Sequence, residues 1–321
     1  MTRFMDVTAK TIKPAPTRPR RTSIAPQAPD LAAPRWVIDL LAQSGALSVR
    51  DTGAKRQVTA GEDFTLVSVR VEDAAGLSPA EFERETAEAY SYIASELRDK
   101  PARHPVRFWN YIPGIHRPAG EGLDRYMVFN AGRFKACSDW FGGPESFDRL
   151  LATASGVGHA GEDLVIHALA SAVPGVAVEN PRQVPPYKYS RRFGPRPPCF
   201  ARATVLAPRG GRRQILVGGT ASIVGEESVH VGEMVGQTRE TLVNLEALIR
   251  HATEVAGCAA PAIALRTFTD LRVYHTRPAD RDALAGLIAP AVGSACHVEY
   301  IPADLCRAEL MVEIEGVAEC A

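Results

Sequence analysis

At 321 residues the chain is long enough for two compact units with substantial cores. Its 45% apolar and 23% charged content is that of a folded globular protein, and 37 basic residues balance 37 acidic ones. That neutrality excludes a broad electrostatic field for nucleic acid or an anionic membrane, so any anion site has to be local.

No run approaches the roughly 20 apolar residues that span a bilayer, and the N-terminus lacks the apolar stretch of a secretory signal, which places the chain in the cytoplasm. The six cysteines, Cys137, Cys199, Cys258, Cys296, Cys306 and Cys320, are far apart without a CxxC pair. They read as reduced, mostly buried thiols rather than a zinc ribbon or a disulfide framework.

Residues 1–34 are rich in proline and basic side chains and show no apolar period, so they form a disordered extension; the basic, acid-poor character is shared with transit peptides, but the prolines oppose the helix those need. From Trp36 onward the apolar pattern begins. Thr65 to Val71 alternates as a strand, Ser78-Pro79-Ala80-Glu81 opens a helix that Phe82 to Leu97 continues, and Val106 to Ile112 is a second strand. Pro144 to Ala154 reads as helical, and Asp163 to Val178 as strand-like around a Pro174-Gly175 turn.

The second half repeats the order. Phe200 to Ala207 and Arg213 to Gly219 are strands joined by the turn Pro208-Arg209-Gly210-Gly211. Glu233 to Ala256 is a long amphipathic helix closed by Gly257, Ala262 to Tyr274 a strand, and Pro278 to Ala289 a helix. His297 to Ile301 with Glu309 to Ile314 form a closing strand pair. The expectation is an α+β protein of two similar units, residues 35–179 and 180–321, with a site at their shared interface.

Gly156-Val157-Gly158-His159-Ala160-Gly161 matches GxGxxG, with Glu179 downstream, but a helix-like segment precedes it and a strand follows. It reads as a glycine-rich connector, and no cofactor is called for. His230 and Glu233 lack a third metal ligand, and no GxSxG, HExxH or P-loop occurs. Cys306 has no nearby His to make it a nucleophile. Glu313 lies in an otherwise apolar strand, where it either faces a pocket and has its pKa raised for general-acid work or faces water at an edge.

Residues 180–225 contain no acid but hold nine basic residues, among them Lys188, Arg196 and Arg202, interleaved with Tyr187, Tyr189, Phe193 and Phe200. Stacking on single-stranded nucleic acid, a solvated loop, and a site for a small anion are three readings of such a segment. Guanidinium forks match carboxylates, and the neighbouring prolines stiffen the backbone, which favours the anion.

Leu216-Val217-Gly218-Gly219-Thr220-Ala221, then His230-Val231-Gly232-Glu233, Gln237 and Glu240-Thr241-Leu242-Val243-Asn244-Leu245, with Val312-Glu313-Ile314-Glu315-Gly316 at the end, resemble the signature of the YjgF/RidA superfamily. Its imine deaminases carry an arginine where this chain has Ser294-Ala295-Cys296, and a tyrosine where it has Arg196. Arg107-Phe108-Trp109-Asn110-Tyr111, Phe129-Asn130-Ala131-Gly132-Arg133, Asn180-Pro181-Arg182-Gln183-Val184-Pro185, Arg192-Phe193-Gly194-Pro195-Arg196 and Cys306-Arg307 resemble more closely the chorismatase family. That resemblance runs from about residue 60 to the C-terminus.

The resemblance implies two YjgF-like, chorismate-mutase-like domains, mixed sheets with helices on one face, the first degenerate and the second catalytic. It implies chorismate as substrate, with no metal or organic cofactor, no nucleic acid and no membrane partner. By the same resemblance Glu313 is the acid that protonates the enolpyruvyl methylene. Gly219 and Cys306 are the pair found in the branch that releases pyruvate and 3-hydroxybenzoate. Arg133, Lys135, Tyr187, Arg196 and Arg202 are the candidate substrate anchors. Formation of 4-hydroxybenzoate or hydrolysis to a dihydroxycyclohexadiene carboxylate stays open, as does a noncatalytic protein that binds a small carboxylate or RNA. Fusion of two units favours a monomer, with the trimer of YjgF relatives as the alternative.

Overall fold

The computed structural model describes residues 31–45, 48–51 and 55–321; the expected tail lies outside them up to position 30. The first half runs α1 (Arg35–Ala42), β1 (Ser48–Asp51), β2 (Arg56–Ala60), β3 (Phe64–Val71), α2 (Pro79–Arg98), β4 (His104–Pro113), a ribbon of β5 (Pro118–Gly120) and β6 (Leu123–Asp124), α3 (Arg125–Phe141), the one-turn α4 (Phe147–Leu150), β7 (Thr153–His159) and β8 (Leu164–Ser171). The second runs β9 (Val176–Val178), β10 (Ala203–Val205), β11 (Arg213–Ala221), a ribbon of β12 (Ile223–Val224) and β13 (Glu227–Ser228), α5 (Met234–Val255), β14 (Phe268–His275), α6 (Arg281–Val292), β15 (His297–Pro302) and β16 (Val312–Cys320).

These strands form two six-stranded mixed sheets, ordered β1-β2-β3-β8-β4-β7 and β15-β14-β16-β11-β10-β9. Read from its far edge, the second sheet repeats the first, with β10, β11, β16, β14 and β15 in the places of β2, β3, β8, β4 and β7. The parallel pair of each brackets helical chain, α3 and α4 between β4 and β7 and α6 between β14 and β15, as a parallel crossover requires. The fold is the α+β class expected, in four layers. Phe82, Tyr90, Ile93 and Phe129 of α2 and α3 cover the outer face of one sheet. Leu245, Ile249, Leu284 and Ile288 of α5 and α6 cover the other. The inner faces pack directly on each other through Trp109, Val157 and Leu169 against Leu216, Tyr274 and Val317.

Local chemistry explains the helix ends. Ser78 accepts from the Glu81 N–H and the Glu81 carboxylate accepts from the Ser78 N–H, a capping box with Pro79 in the first turn. Helix α3, which no apolar period announced, is capped by Asp124 on the Met127 N–H and ends at Gly142, whose φ of 79° is left-handed. Its inner face buries Arg125, Asn130 and Arg133, and these polar residues interrupt the stripe that would have revealed it.

Several expectations change. Pro144 to Ala154 is a 3-10 turn, the short α4 and then strand, because Pro144 and the β-rich Thr153–His159 leave room for one helical turn. Gly156 to His159 is therefore part of β7 rather than a connector, and a Cβ at Gly158 would lie 2.6 Å from Ile115, so close packing explains that glycine. Asp163 to Val178 divides between the sheets, β8 in one and β9 at the edge of the other. β15 and β16 do not pair: β16 lies between β14 and β11, a central position that puts Glu313 on the inner face and not at an edge. Cys258 and Cys320 form a disulfide with Cα atoms 6.0 Å apart, which their separation of 62 residues concealed. Residues 31–34, expected within the tail, are packed. Leu31 is buried and its carbonyl accepts from His167 Nε2, while the Ala32 carbonyl accepts from Tyr111 Oη and Arg272 Nη1, one residue on each sheet.

Candidate active site

The floor of the site is a β-bulge. In the β11–β16 ladder Val217 faces Gly316 and Thr220 faces Ile314, so Gly218 and Gly219 together oppose Glu315. Both glycines then turn toward the other sheet. A Cβ on Gly218 would stand 2.7 Å from the Ala154 carbonyl, and one on Gly219 would stand 2.0 Å from Glu313 Oε1. The missing side chains admit β7 on one side and a carboxyl group on the other.

Glu313 is only 3% exposed and borders a cavity of about 330 Å³, toward the lower end of the roughly 300–1,000 Å³ typical of small-molecule sites. Burial, followed by the negative charge of Glu315, raises its pKa to about 8, against the smaller pull of Arg107 and Arg202. At neutral pH it is a carboxylic acid. The Cys306 sulfur lies 3.9 Å from Glu313 Oε2, and burial pushes that thiol up to about 12, so it stays protonated and is no nucleophile. Gln237 of α5 holds the loop carrying Cys306, donating to the Glu309 carbonyl at 2.9 Å and accepting from the Met311 N–H at 2.7 Å. Asn244, one turn pair further along α5, donates to the carbonyls of Ala221 and Ile223 and pins the end of β11.

The walls are basic and aromatic. Arg133 of α3 and Arg202 before β10 line the cavity, as do Arg307, Tyr126, Tyr189 and Phe193. Arg202 donates to Tyr189 Oη at 2.6 Å, and Arg133 to Asn130 Oδ1 at 2.8 Å. Arg307 lies 3.9 Å over the Phe193 ring, with Nη1 fixed by the Glu226 carbonyl and Ser228 Oγ. Among the described residues, Arg133 Nε, Arg202 Nε and Arg307 Nη2 are buried without a hydrogen-bond partner. Buried donors left in this state are costly, and a bound carboxylate would satisfy them.

The structure thus brings together Glu313, Cys306, Gly219, Arg133 and Arg202. It leaves Lys135, Tyr187 and Arg196 off the cavity wall. Lys135 is exposed on the outer side of α3, Tyr187 packs against the first helical core, and the exposed Arg196 lies 5.1 Å from the Phe134 ring. Arg307 was missed as an anchor, although it stands beside Cys306 in a quoted motif. Four of the nine basic residues in the acid-free segment are paired with acids from elsewhere: Arg182 with Glu240, Arg192 with Glu227, Arg209 with Asp63 and Arg212 with Glu319. His230 lies 3.8 Å from Glu240, and no cluster of three metal-ligating side chains occurs among the described residues. No described helix is long and apolar enough to cross a membrane.

Residues 42–170 match the family described as Chorismatase FkbO/Hyg5-like, N-terminal. A 3-hydroxybenzoate synthase of Streptomyces hygroscopicus is 36% identical over 239 residues, 72% of this chain and 68% of that protein. A chorismatase of Streptomyces rapamycinicus is 33% identical over 66% of this chain and 63% of its own length. A chorismatase crystal structure superposes with a TM-score of 0.74 at 28% identity, covering 84% of this chain and 78% of the other. With its fold and most of its length shared with these enzymes, the chain belongs to the chorismatase family.

Proposed function

We propose that the chain converts chorismate to 3-hydroxybenzoate and pyruvate. The observation that carries this reading is the buried Glu313 carboxyl, abutting Gly219 on the cavity floor beside the Cys306 thiol and sharing that cavity with the guanidinium groups of Arg133, Arg202 and Arg307. A dicarboxylate substrate suits Arg133, Arg202 and Arg307, whose free N–H groups its carboxylates would engage.

Glu313 gives its proton to the terminal methylene of the enolpyruvyl group, leaving an oxocarbenium-like ether. The bond from ring C3 to the ether oxygen breaks, and its electron pair stays on oxygen as pyruvate forms. The C4 hydroxyl oxygen closes onto C3 and returns its proton to the Glu313 carboxylate. The resulting arene oxide opens at its C4–O bond, the hydrogen on C3 leaves as a proton so that the ring becomes aromatic, and the oxygen on C3 takes a proton up. No water is consumed, and aromatisation drives the sequence forward. The Gly219 surface leaves room for the ring to tilt, and the thiol of Cys306 contacts the migrating oxygen. An acid matched to the working pH is suited to the first step.

The test is incubation of the purified chain with chorismate in isotopically heavy-oxygen water, with chromatography and mass spectrometry of the products. Unlabelled 3-hydroxybenzoate and one pyruvate per turnover are expected. A dihydroxycyclohexadiene carboxylate would overturn the product assignment, and absence of pyruvate would overturn the reaction. Because residues of both halves of the chain border the cavity, light scattering is expected to show an active monomer.

A further inference from the structure

Two residues beyond Glu313 on the same face of β16 is a second buried carboxylate that the reaction does not use. Glu315 is 2% exposed. Its Oε2 accepts from Arg107 Nη2 at 2.7 Å and from Ser155 Oγ, and its Oε1 accepts from Trp109 Nε1 at 2.8 Å. All three donors come from the opposite sheet. Burying an ion pair rarely stabilises a fold better than apolar packing would, so this pair calls for another consequence.

The geometry supplies one. Glu315 is the residue that the Gly218–Gly219 bulge opposes. The Ser155 hydroxyl that donates to Glu315 also accepts the Gly219 N–H at 3.1 Å, and Gly219 in turn abuts the Glu313 carboxyl. The two glutamates lie about 7 Å apart along the strand and are joined by this short ring of contacts.

We propose that Glu315 is a positioning residue of the reaction: clamped by Arg107, Trp109 and Ser155, it fixes the bulge that aims Glu313 and places a second carboxylate beside that acid. The inference rests on Glu313 being the proton donor. The groups facing Glu313 from other elements are Arg107 of β4, Tyr126 of α3, Arg202 before β10 and Cys306 in the loop before β16. Of these, the arginines and the Cys306 hydrogen bond favour its ionised form. Glu315 lies on the other side of the balance, second only to burial.

Glu315→Gln in the full chain keeps the shape and removes the charge. The readout is the titration of the Glu313 carboxyl by carbon NMR of glutamate-labelled protein, its resonance identified by loss in Glu313→Gln, alongside the pH profile of kcat/KM. The midpoint is expected to fall by about one pH unit, and the alkaline limb of kcat/KM to move with it, with KM little changed. An unmoved midpoint in a folded variant overturns the proposal. Should Glu315→Gln fail to fold, Ser155→Ala carries the test, since it keeps the ion pair and frees the bulge. A changed ratio of hydroxybenzoate products at constant KM supports the clamp, and an unchanged ratio overturns it. The titration needs no turnover, so a chain that releases no pyruvate would sink the proposed reaction without deciding this question.

Discussion

Glu313 stands between two states of one proton. Its folded pKa of about 8 exceeds its ordinary value of 4.5, so the folded chain holds a proton that the unfolded chain releases across that interval. Two consequences follow in the same pH window. Activity that needs the acid is full at neutral pH and declines as pH rises through about 8, read as the alkaline limb of kcat/KM. Stability contributed by the proton is present below about 4.5 and lost as pH rises to about 8. Glu313→Gln, which cannot ionise, is therefore expected to lose pyruvate release by about 10²–10⁴-fold while gaining stability over the parent between about pH 5 and about pH 8. Urea unfolding at the two ends of that range checks the second effect, and a stability difference independent of pH would contradict it. Arg307→Ala is expected to raise KM for chorismate about ten- to hundredfold through loss of a charge-assisted hydrogen bond, with a smaller change in kcat. Glu313 was legible because a carboxylate in an apolar strand is unusual. Arg307 was not, because its value comes from Phe193 beneath it and an N–H left free, neither of which spacing reveals.

The strands and helices put these residues in place, and the bulge of β11 is the element on which the site turns. Its two glycines look alike in sequence and differ in what a methyl group would strike. At Gly218 the obstacle is the backbone of Ala154, 2.7 Å away, so Gly218→Ala has to push β7 from β11 and is expected to cost about 1–3 kcal/mol in chemical unfolding. At Gly219 the obstacle is the end of the Glu313 side chain, which can rotate. Gly219→Ala is expected to fold nearly as stably as the parent but to change the ratio of products, because the acid is re-aimed; an unchanged ratio would remove Gly219 from product choice. The strand–helix alternation was readable from apolar spacing over most of the chain. Helix α3 escaped because its inner face carries Arg125, Asn130 and Arg133, the last of which the site needs. The closing pair was misread because alternation identifies a strand and not its neighbours, and β16 finds both of its own far away in sequence.

At the scale of the whole molecule, two sheets of one topology pack face to face, and residues 31–36 tie them together. Trp36 packs against Trp109 with ring centroids 5.8 Å apart and tilted by 57°, and the Trp109 indole N–H holds Glu315. Trp36→Ala is expected to lower stability on the order of 2 kcal/mol, measured by thermal or urea unfolding, and to leave the cavity's anchors unchanged. The amino-acid sequence by itself determined the α+β class and the repeated order of elements, since period is a property of neighbours along the chain, and three floor residues, Glu313, Gly219 and Cys306, came from its resemblance to the chorismatase family. It also located the unusual concentration of positive charge. Which of those charges stay available was decided only by the tertiary structure. Asp63, Glu227, Glu240 and Glu319 reach back to pair with four arginines of the acid-free segment, while Arg133 and Arg307 arrive from outside it to join Arg202. Charge pairing acts over a few ångströms in space and has no fixed separation in sequence, so the cationic wall exists only once the two sheets have closed on each other.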